Sequence, residues 1–532
     1  MNTQASGNSS ALREMLAISP YNQLALKPLA HADNVRLFDT TLRDGEQAPG
    51  IALSAADKVR IAAALDDLGV DMMEAGFAAS SEIEQDVLKQ VMDMGPKAQV
   101  YSLSRSVKSD VDAVLKTGVP YIHTFIATSP LHMQYKLKMT PEQVKEKAVS
   151  TIEYARDHGL EVMFSCEDAT RSDLDFMKEI CVAAQDAGAS SINLPDTVGV
   201  IVPQGMAYIV SEMKKVLKVP ISMHCHNDMG LAVANTLAGV EAGAEICHVT
   251  MSGIGERTGN AALEEVAVNL FANYGIEAIS LQKIGPVSKL VERITGFPIA
   301  YNKPVVGRNA FAHESGIHVH GVMANTLTYE PFKPEMVGEE RHIVIGKHSG
   351  EHSVRGRLEA LGIKMPEEHM PELMAAIKEA AIGDKEIDDA ELGALADNVL
   401  YQSRHDKPAV DIDGVAVMTG KGITSTATVN LRVNGDKRTA ADIGVGPVDA
   451  AMKAIADAVG GQYTLEEYKL AAINGKASSL CEVTVMVRNS EREGTGLVVG
   501  KAVGTDVVQT SIDAMIAAIN RDFSRYDRHD DQ

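Results

Sequence analysis

Cysteine is scarce in this chain. Only five occur in 532 residues, Cys166, Cys181, Cys225, Cys247 and Cys481, and none stands in a CxxC spacing. An odd, scattered count supplies no disulfide framework and fits reduced thiols in a cytoplasmic protein. Basic charge is also in deficit: 50 Lys and Arg against 72 Asp and Glu leave a net charge of −22. Such a surface repels phosphate backbones and anionic lipid, which argues against nucleic acid or membrane as a partner and for a small molecule. No apolar run is long enough to span a bilayer, and the first thirty residues lack a basic segment followed by an apolar core. Neither a signal peptide nor a membrane anchor is therefore expected, and the opening MNTQASGNSS reads as flexible at its start.

What is present is apolar content and rhythm. With 45% hydrophobic residues the chain can bury more than one core, and two or three domains are expected. From residue 35 to about 275, short β-branched runs alternate with longer helical ones. The strand segments are VRLF (35–38), MMEAGF (72–77), QVYSLS (99–104), YIHTFIA (121–127), EVMFSC (161–166), SINLP (191–195), ISMHCH (221–226) and ICHVTM (246–251). Eight βα units close a TIM barrel. A doubly wound open sheet is the alternative, disfavoured because no GxGxxG turn follows the first strand. Local signals support the helices between: Ser54 can cap with Asp57, Ile61, Leu65 and Leu68 share a face, and Gly69 stops the helix, as Gly159, Gly188 and Gly243 stop others. The expected α/β layout is an N-terminal extension (1–34), a TIM-barrel domain (35–295), a mainly helical linker subdomain (296–402) and a C-terminal α+β domain (403–525). In the last, strand-like STATVNLRV and CEVTVMVR alternate with amphipathic helices at 447–459 and 505–520, an order that hints at internal duplication.

Reactive groups of a TIM barrel sit where strands end and βα loops begin. Asp44 follows strand 1 in FDTTLRDGEQ, and His224 and His226 stand two apart in HCHND, so the pleat sends both to one face and Cys225 to the other. Asn260 follows strand 8 in GIGERTGN. One carboxylate, two imidazoles and an amide oxygen suit Mn²⁺, Mg²⁺ or Zn²⁺ acting as a Lewis acid. An HxH pair alone is as often a packing motif, and an Asn after Gly is commonly a helix cap, so the set rests on Asp44 joining them. Arg43 adjoins the carboxylate and can either stabilise a developing oxyanion or simply pair with Asp44 or Glu74. Glu167 and Thr197 end strands 5 and 6, the one fit to relay a proton, the other to hold a substrate carboxylate. Of His313, His318, His320, His342 and His348, His318 in HESGIHVHG is the choice for a base. GKHSG at 346–350 reads equally as a phosphate-binding turn and as a plain glycine turn.

FDTTLRDGEQAPG, SCEDATRSD, NLPDTVG, HCHNDMGLAVANTLAGVEAGA, GIGERTGNAALEEV and AFAHESGIH together resemble the metal-dependent Claisen-condensing TIM-barrel enzymes that include 2-isopropylmalate, citramalate and homocitrate synthases. The resemblance spans roughly 35–525, with IGVGPVDAAMKAI similar to the family's feedback domain. HTFIATSPLHMQYKLKM at 123–139 is most similar to the branch that condenses acetyl-CoA with 2-oxoisovalerate and hydrolyses the thioester, the committed step of leucine biosynthesis. HVHG (318–321) and IGKHSG are at least as similar to the citramalate-type branch, which takes pyruvate. The lyases that share the barrel place a Cys in the loop after strand 8, where this chain reads SGIGERTGN. The resemblance implies that Asp44, His224, His226 and Asn260 hold the metal, most often Mn²⁺. Arg43 would polarise the keto oxygen, Thr197 and His123 would bind substrate, and Glu167 with His318 would serve the proton transfers. It further implies a cytoplasmic homodimer whose linker reaches the partner's barrel. A leucine effector is also implied, although INGKASSLCEV lacks the glycine-rich character of the family's effector loop. A catalytically silent amino-acid sensor is the reading from another class, and the intact Asp44, His224 and His226 set speaks against it.

Overall fold

The computed structural model describes residues 12–381, 386–387, 389–404, 408–460, 463–472, 481–490 and 498–526. The eight apolar runs form strands, and they close: β1 (Arg36–Asp39), β2 (Met72–Glu74), β3 (Gln99–Arg105), β4 (Tyr121–Ala127), β5 (Glu161–Glu167), β6 (Ser191–Asp196), β7 (Ile221–Cys225) and β8 (Ile246–Val249) make one parallel barrel in which β8 pairs with β1. Both faces of these strands are buried, which is why they read as near-continuous apolar runs without alternation. The intervening helices begin and end where the sequence signals lie. Ser54 and Asp57 form a reciprocal capping box at the head of the helix Ala55–Leu68, and Gly69 closes it at φ 96°. Gly188 does the same at φ 110° after Leu174–Ala187.

Two expected strands end two or more residues early. β2 stops at Glu74 rather than at Phe77, where Gly76 takes φ 153°. β8 stops at Val249, because Thr250 donates its hydroxyl to the Ile254 carbonyl and the chain turns through Ser252 at φ 58°. The barrel interior is layered by a simple rule. Phe38, Met72, Tyr101, Met163 and Ile246 form an apolar cluster near the N-terminal ends. Two residues further along their strands, on the same face, stand Glu74 after Met72, His123 after Tyr121, Ser165 after Met163 and His248 after Ile246. The polar layer therefore opens toward the C-terminal mouth.

Contact density divides the chain into two compact units: residues to Ala312 with Asn325–His342, and His313–Ala324 with Ile343 onward. The stretch expected as one linker subdomain, 296–402, is thus shared between them. In the first unit the N-terminal extension is anchored from Leu12: Leu12 and Leu16 are buried, and Ala17 N–H donates to the Pro331 carbonyl at 2.8 Å. Its expected flexible start lies outside the described residues. The second unit holds a helical core built on Val354, Leu358, Leu373, Ile377 and Leu392. It also holds two three-stranded antiparallel sheets, Val410–Gly420 to Asp436–Gly444 and Tyr463–Ala472 to Val498–Gly504. Each sheet is followed by a helix, Pro447–Val459 and Val507–Tyr526, so the order βββα occurs twice and both halves fill one core. GKHSG is a closed turn in which Gly346 N–H donates to Ser349 Oγ and His348 N–H to Glu314 Oε1.

One buried carboxylate makes the barrel's stability pH-dependent. Glu264 accepts from Ser252 N–H at 2.9 Å and stands 3.7 Å from Lys303, yet burial raises its pKa from 4.5 to about 7. Burial likewise raises Asp39 to about 7, against the hydrogen bonds from Thr41. Between about pH 4.5 and 7 the folded state holds a proton at Glu264 that the unfolded chain has lost, so this group's contribution to stability falls as pH rises through that window. Glu264→Gln keeps the acceptor without the charge. The variant should match the parent near pH 5 and exceed it by on the order of 1–3 kcal/mol at pH 8, read from denaturant melts at both pH values.

Candidate active site

The turn after β1 is fixed by one carbonyl: the backbone N–H groups of Arg43, Asp44 and Gly45 all donate to Thr40, at 3.1, 2.9 and 3.1 Å. Asp39 accepts from Thr41 N–H and Oγ1 at 2.8 and 2.9 Å, and Thr41 Oγ1 in turn accepts from Met251 N–H at 2.8 Å, which ties this turn to the loop after β8. Asp44 is thereby presented to the end of β7. Its Oδ2 lies 3.0 Å from His224 Nε2 and 3.8 Å from His226 Nε2, and the two Nε2 atoms are 3.3 Å apart. The three donor atoms fall within 4.8 Å of one another, the arrangement a metal ion requires. His226 and Asn260 form an isolated antiparallel bridge. Asn260 spends its Nδ2 on the Ile254 carbonyl and leaves Oδ1 buried without a hydrogen-bond partner, a fit for a fourth oxygen ligand. The residues present therefore suit a hard or borderline divalent cation.

Both partnerships open to Arg43 are made. Its Nε donates to Glu74 Oε2 at 2.5 Å and Nη1 sits 3.2 Å from Asp44 Oδ2. Burial opposes ionisation of Asp44, but Arg43, followed by the two imidazoles, holds the carboxyl well below the usual range. Glu74 is lowered in the same way, by Arg43 and then His123 against burial. Burial, with repulsion from His224, lowers His226 to about 4, so its imidazole is neutral at pH 7 and has a lone pair to give.

Glu74, a carboxylate inside the apolar run MMEAGF, was foreseen only as a partner for Arg43. Its second oxygen takes His123 Nδ1 at 2.8 Å, leaving His123 Nε2 buried and unpartnered. His123 lines a cavity of about 260 Å³ at the barrel mouth with Arg43, Asp44, Glu167, Thr197 and Ser165 among others. Its wall carries a rung of short polar side chains: Ser222 Oγ donates to Asn193 Oδ1 at 3.1 Å, and Asn193 Nδ2 donates to Ser165 Oγ at 2.7 Å. Glu167 pairs with Lys136 at 2.5 Å and stands 3.6 Å from His132 Nδ1. Both come from the β4 loop, where a one-turn helix runs into a π-helical turn, Met133–Leu137, a conformation with no sequence signature. Thr197 Oγ1 accepts from Asp168 N–H at 2.9 Å. Arg257, missed in the sequence and held at φ 55°, grips both oxygens of Asp228 at 2.8 and 2.9 Å and the Thr197 carbonyl at 2.9 Å. His318 lies on the helix Gly316–Ala324 of the second unit and is exposed.

Known proteins resemble this chain along most of its length. The HMGL-like family profile matches residues 34–291, the homocitrate synthase post-HMGL domain-like profile 305–385, and the LeuA allosteric (dimerisation) domain profile 386–523. The 2-isopropylmalate synthase of Methanocaldococcus jannaschii is 48% identical over 504 residues, covering 93% of this chain and 96% of that one. The (R)-citramalate synthase of the same organism is 43% identical over 491 residues, covering 91% and 99%. Among solved structures, the HMG-CoA lyase of Bacillus subtilis superposes with a TM-score of 0.47 at 19% identity, covering 51% of this chain and 97% of that one.

The charge chain makes a prediction of its own. Glu74→Leu strips the counter-charge from a buried guanidinium and the acceptor from His123, and should cost about 3–5 kcal/mol of stability. Glu74→Gln, which keeps the shape and one acceptor oxygen, should cost visibly less in the same urea titration.

Proposed function

The chain belongs to the HMGL-like family of synthases that contains the 2-isopropylmalate and (R)-citramalate enzymes, and from that premise we propose that it condenses acetyl-CoA with 2-oxoisovalerate to give 2-isopropylmalate and CoA. The observation that carries this reading is the Asp44, His224 and His226 cluster opening on one cavity with Arg43, Glu167 and Thr197. With Asn260, these ligands would hold a divalent cation, Mn²⁺ first, with Mg²⁺ or Zn²⁺ as the alternatives, which supplies Lewis-acid polarisation to the bound 2-oxo acid.

The remaining chemistry falls to side chains. Arg43, locked by Glu74 and Asp44, is preorganised to stabilise negative charge growing on the keto oxygen. The Thr197 hydroxyl accepts from Asp168 and keeps its own hydrogen for a substrate carboxylate. His123 Nε2, buried and unpartnered, is free to meet the same substrate. A proton must leave the acetyl methyl group, its carbon then bonds to the keto carbon, and the keto oxygen takes up a proton. Water afterwards cleaves the thioester and CoA leaves as the thiol. Glu167, flanked by Lys136 and His132, is one of the two groups assigned to these transfers, and His318 of the second unit is the other. The LeuA-type C-terminal region supports a homodimer with feedback by leucine, and the absence of a membrane-length apolar helix among the described residues is compatible with cytoplasmic work on small molecules.

The choice of 2-oxoisovalerate rests on the higher identity to the isopropylmalate enzyme and on the short Ser165 and Asn193 side chains of the cavity wall, which leave room for a branched substituent. Pyruvate is the second reading, favoured by the 43% identity to the citramalate enzyme. The acceptors differ by two methyl groups, a few kcal/mol of contact. A thiol-release assay should show 2-oxoisovalerate preferred over pyruvate, inhibition by leucine, and loss of activity with chelator. A preference for pyruvate would move the assignment to the citramalate branch, and no CoA release with any 2-oxo acid would end the enzyme reading. Ser165→Leu should lower kcat/KM for 2-oxoisovalerate at least about tenfold more than for pyruvate.

A further inference from the structure

The mechanism leaves His248 without a task. It stands on β8 in register with Phe38 of β1 and His224 of β7, and is 1% exposed. Its ring stacks on Phe38 at 4.2 Å with 13° between planes, and meets His123 and His224 edge-on at 5.5 and 5.4 Å. Packing sets the plane of this ring, and its Nε2 is buried with no hydrogen-bond partner. Its Nδ1, in contrast, lies 3.3 Å from Nδ1 of His224.

A neutral imidazole carries its proton on one nitrogen and a lone pair on the other. His224 turns Nε2 toward Asp44 Oδ2 at 3.0 Å and His226 Nε2 at 3.3 Å. For that nitrogen to offer a lone pair to a cation, the proton of His224 must sit on Nδ1, where His248 Nδ1 can accept it. We propose that His248 is a positioning residue that fixes His224 in the Nδ1–H tautomer and so presents its Nε2 lone pair to a divalent cation. The inference rests on the metal reading of Asp44, His224 and His226. Outer partners of ligating histidines are usually carboxylates or backbone carbonyls. An imidazole acceptor gives the same orientation without adding another carboxylate to an interior that already buries Asp39, Asp44 and Glu74.

Two substitutions separate this role from mere packing. His248→Phe keeps the ring and its stack on Phe38 but offers no acceptor. His248→Asn places an amide oxygen close to the position of Nδ1 but leaves a void behind it. Full-length protein stripped with chelator is titrated with Mn²⁺, free ion being read by electron paramagnetic resonance, and the melting temperature of each metal-free form is recorded. The expected order is crossed: His248→Phe melts close to the parent yet binds Mn²⁺ about 10–100-fold more weakly, whereas His248→Asn melts lower and binds close to the parent. If both variants bind Mn²⁺ as the parent does, or if affinity simply follows melting temperature, His248 is only a packing residue and the proposal falls. A parent chain that takes up no divalent cation, with Asp44→Ala behaving identically, would overturn the metal reading itself and this inference with it.

Discussion

A single guanidinium makes the barrel mouth tenable. Asp44 and Glu74 are both almost fully buried, and each carboxylate taken out of water costs several kcal/mol unless a cation stands against it. Arg43 does this for both, reaching Glu74 with Nε and Asp44 with Nη1 from a turn gathered on the Thr40 carbonyl. Glu74 transmits the constraint across the barrel, since its other oxygen fixes His123 on β4. Thus the first, second and fourth strands are locked at their polar ends by one chain of charge-assisted hydrogen bonds. A group fixed before substrate arrives need not reorganise when charge develops, which is the condition for large electrostatic stabilisation.

The same economy governs the loops. Thr41 joins the turn after β1 to Met251 after β8, Asp168 joins the β5 loop to Thr197 after β6, and Arg257 binds the β6, β7 and β8 loops through Thr197 and Asp228. Glu256 N–H reaches Asp44 Oδ1 at 3.5 Å, a second link between the β8 loop and the turn after β1. Each tie joins neighbouring loops by one to three hydrogen bonds, so the mouth from β5 round to β1 is held as a partial ring. Arg257 at φ 55° and Asp168 at φ 64° are backbone conformations that side chains rarely adopt, and they persist because this ring determines both residues from more than one side.

Much of this was legible beforehand. The eight strands, the Ser54 box and Gly69 stop are local features, and local features are what periodicity and caps encode. The Asp44, His224 and His226 grouping was also legible, because closure of an eight-stranded sheet brings the first and last strand ends together whatever their separation in sequence. The tie from Glu74 to His123 and the place of His248 were not, since nothing in MMEAGF or ICHVTM says which face of a doubly buried strand looks inward. Lys136 and His132 depend on a π-helical turn, and Arg257 on a left-handed residue, neither of which a motif announces. The antiparallel order within the C-terminal sheets was hidden for another reason: alternation identifies strands but leaves their pairing open.

The division between chemistry and selectivity follows from which parts of the cavity are charged. In the proposed reaction Arg43, Asp44, His224 and Thr197 would face the features every 2-oxo acid shares, a ketone beside a carboxylate, and all are bound into hydrogen-bond and ion-pair networks. The distinguishing alkyl group of an acceptor would then meet the uncharged wall, where Leu103, Phe125, Pro195, Ser165 and Asn193 stand. Contacts there are worth a kcal/mol or so per methyl group, against the several kcal/mol at stake in the buried charges. Selection can therefore redraw the wall without disturbing the reaction, and relatives that take different acceptors are expected to stay almost equally similar across the whole chain, as the 48% and 43% identities are.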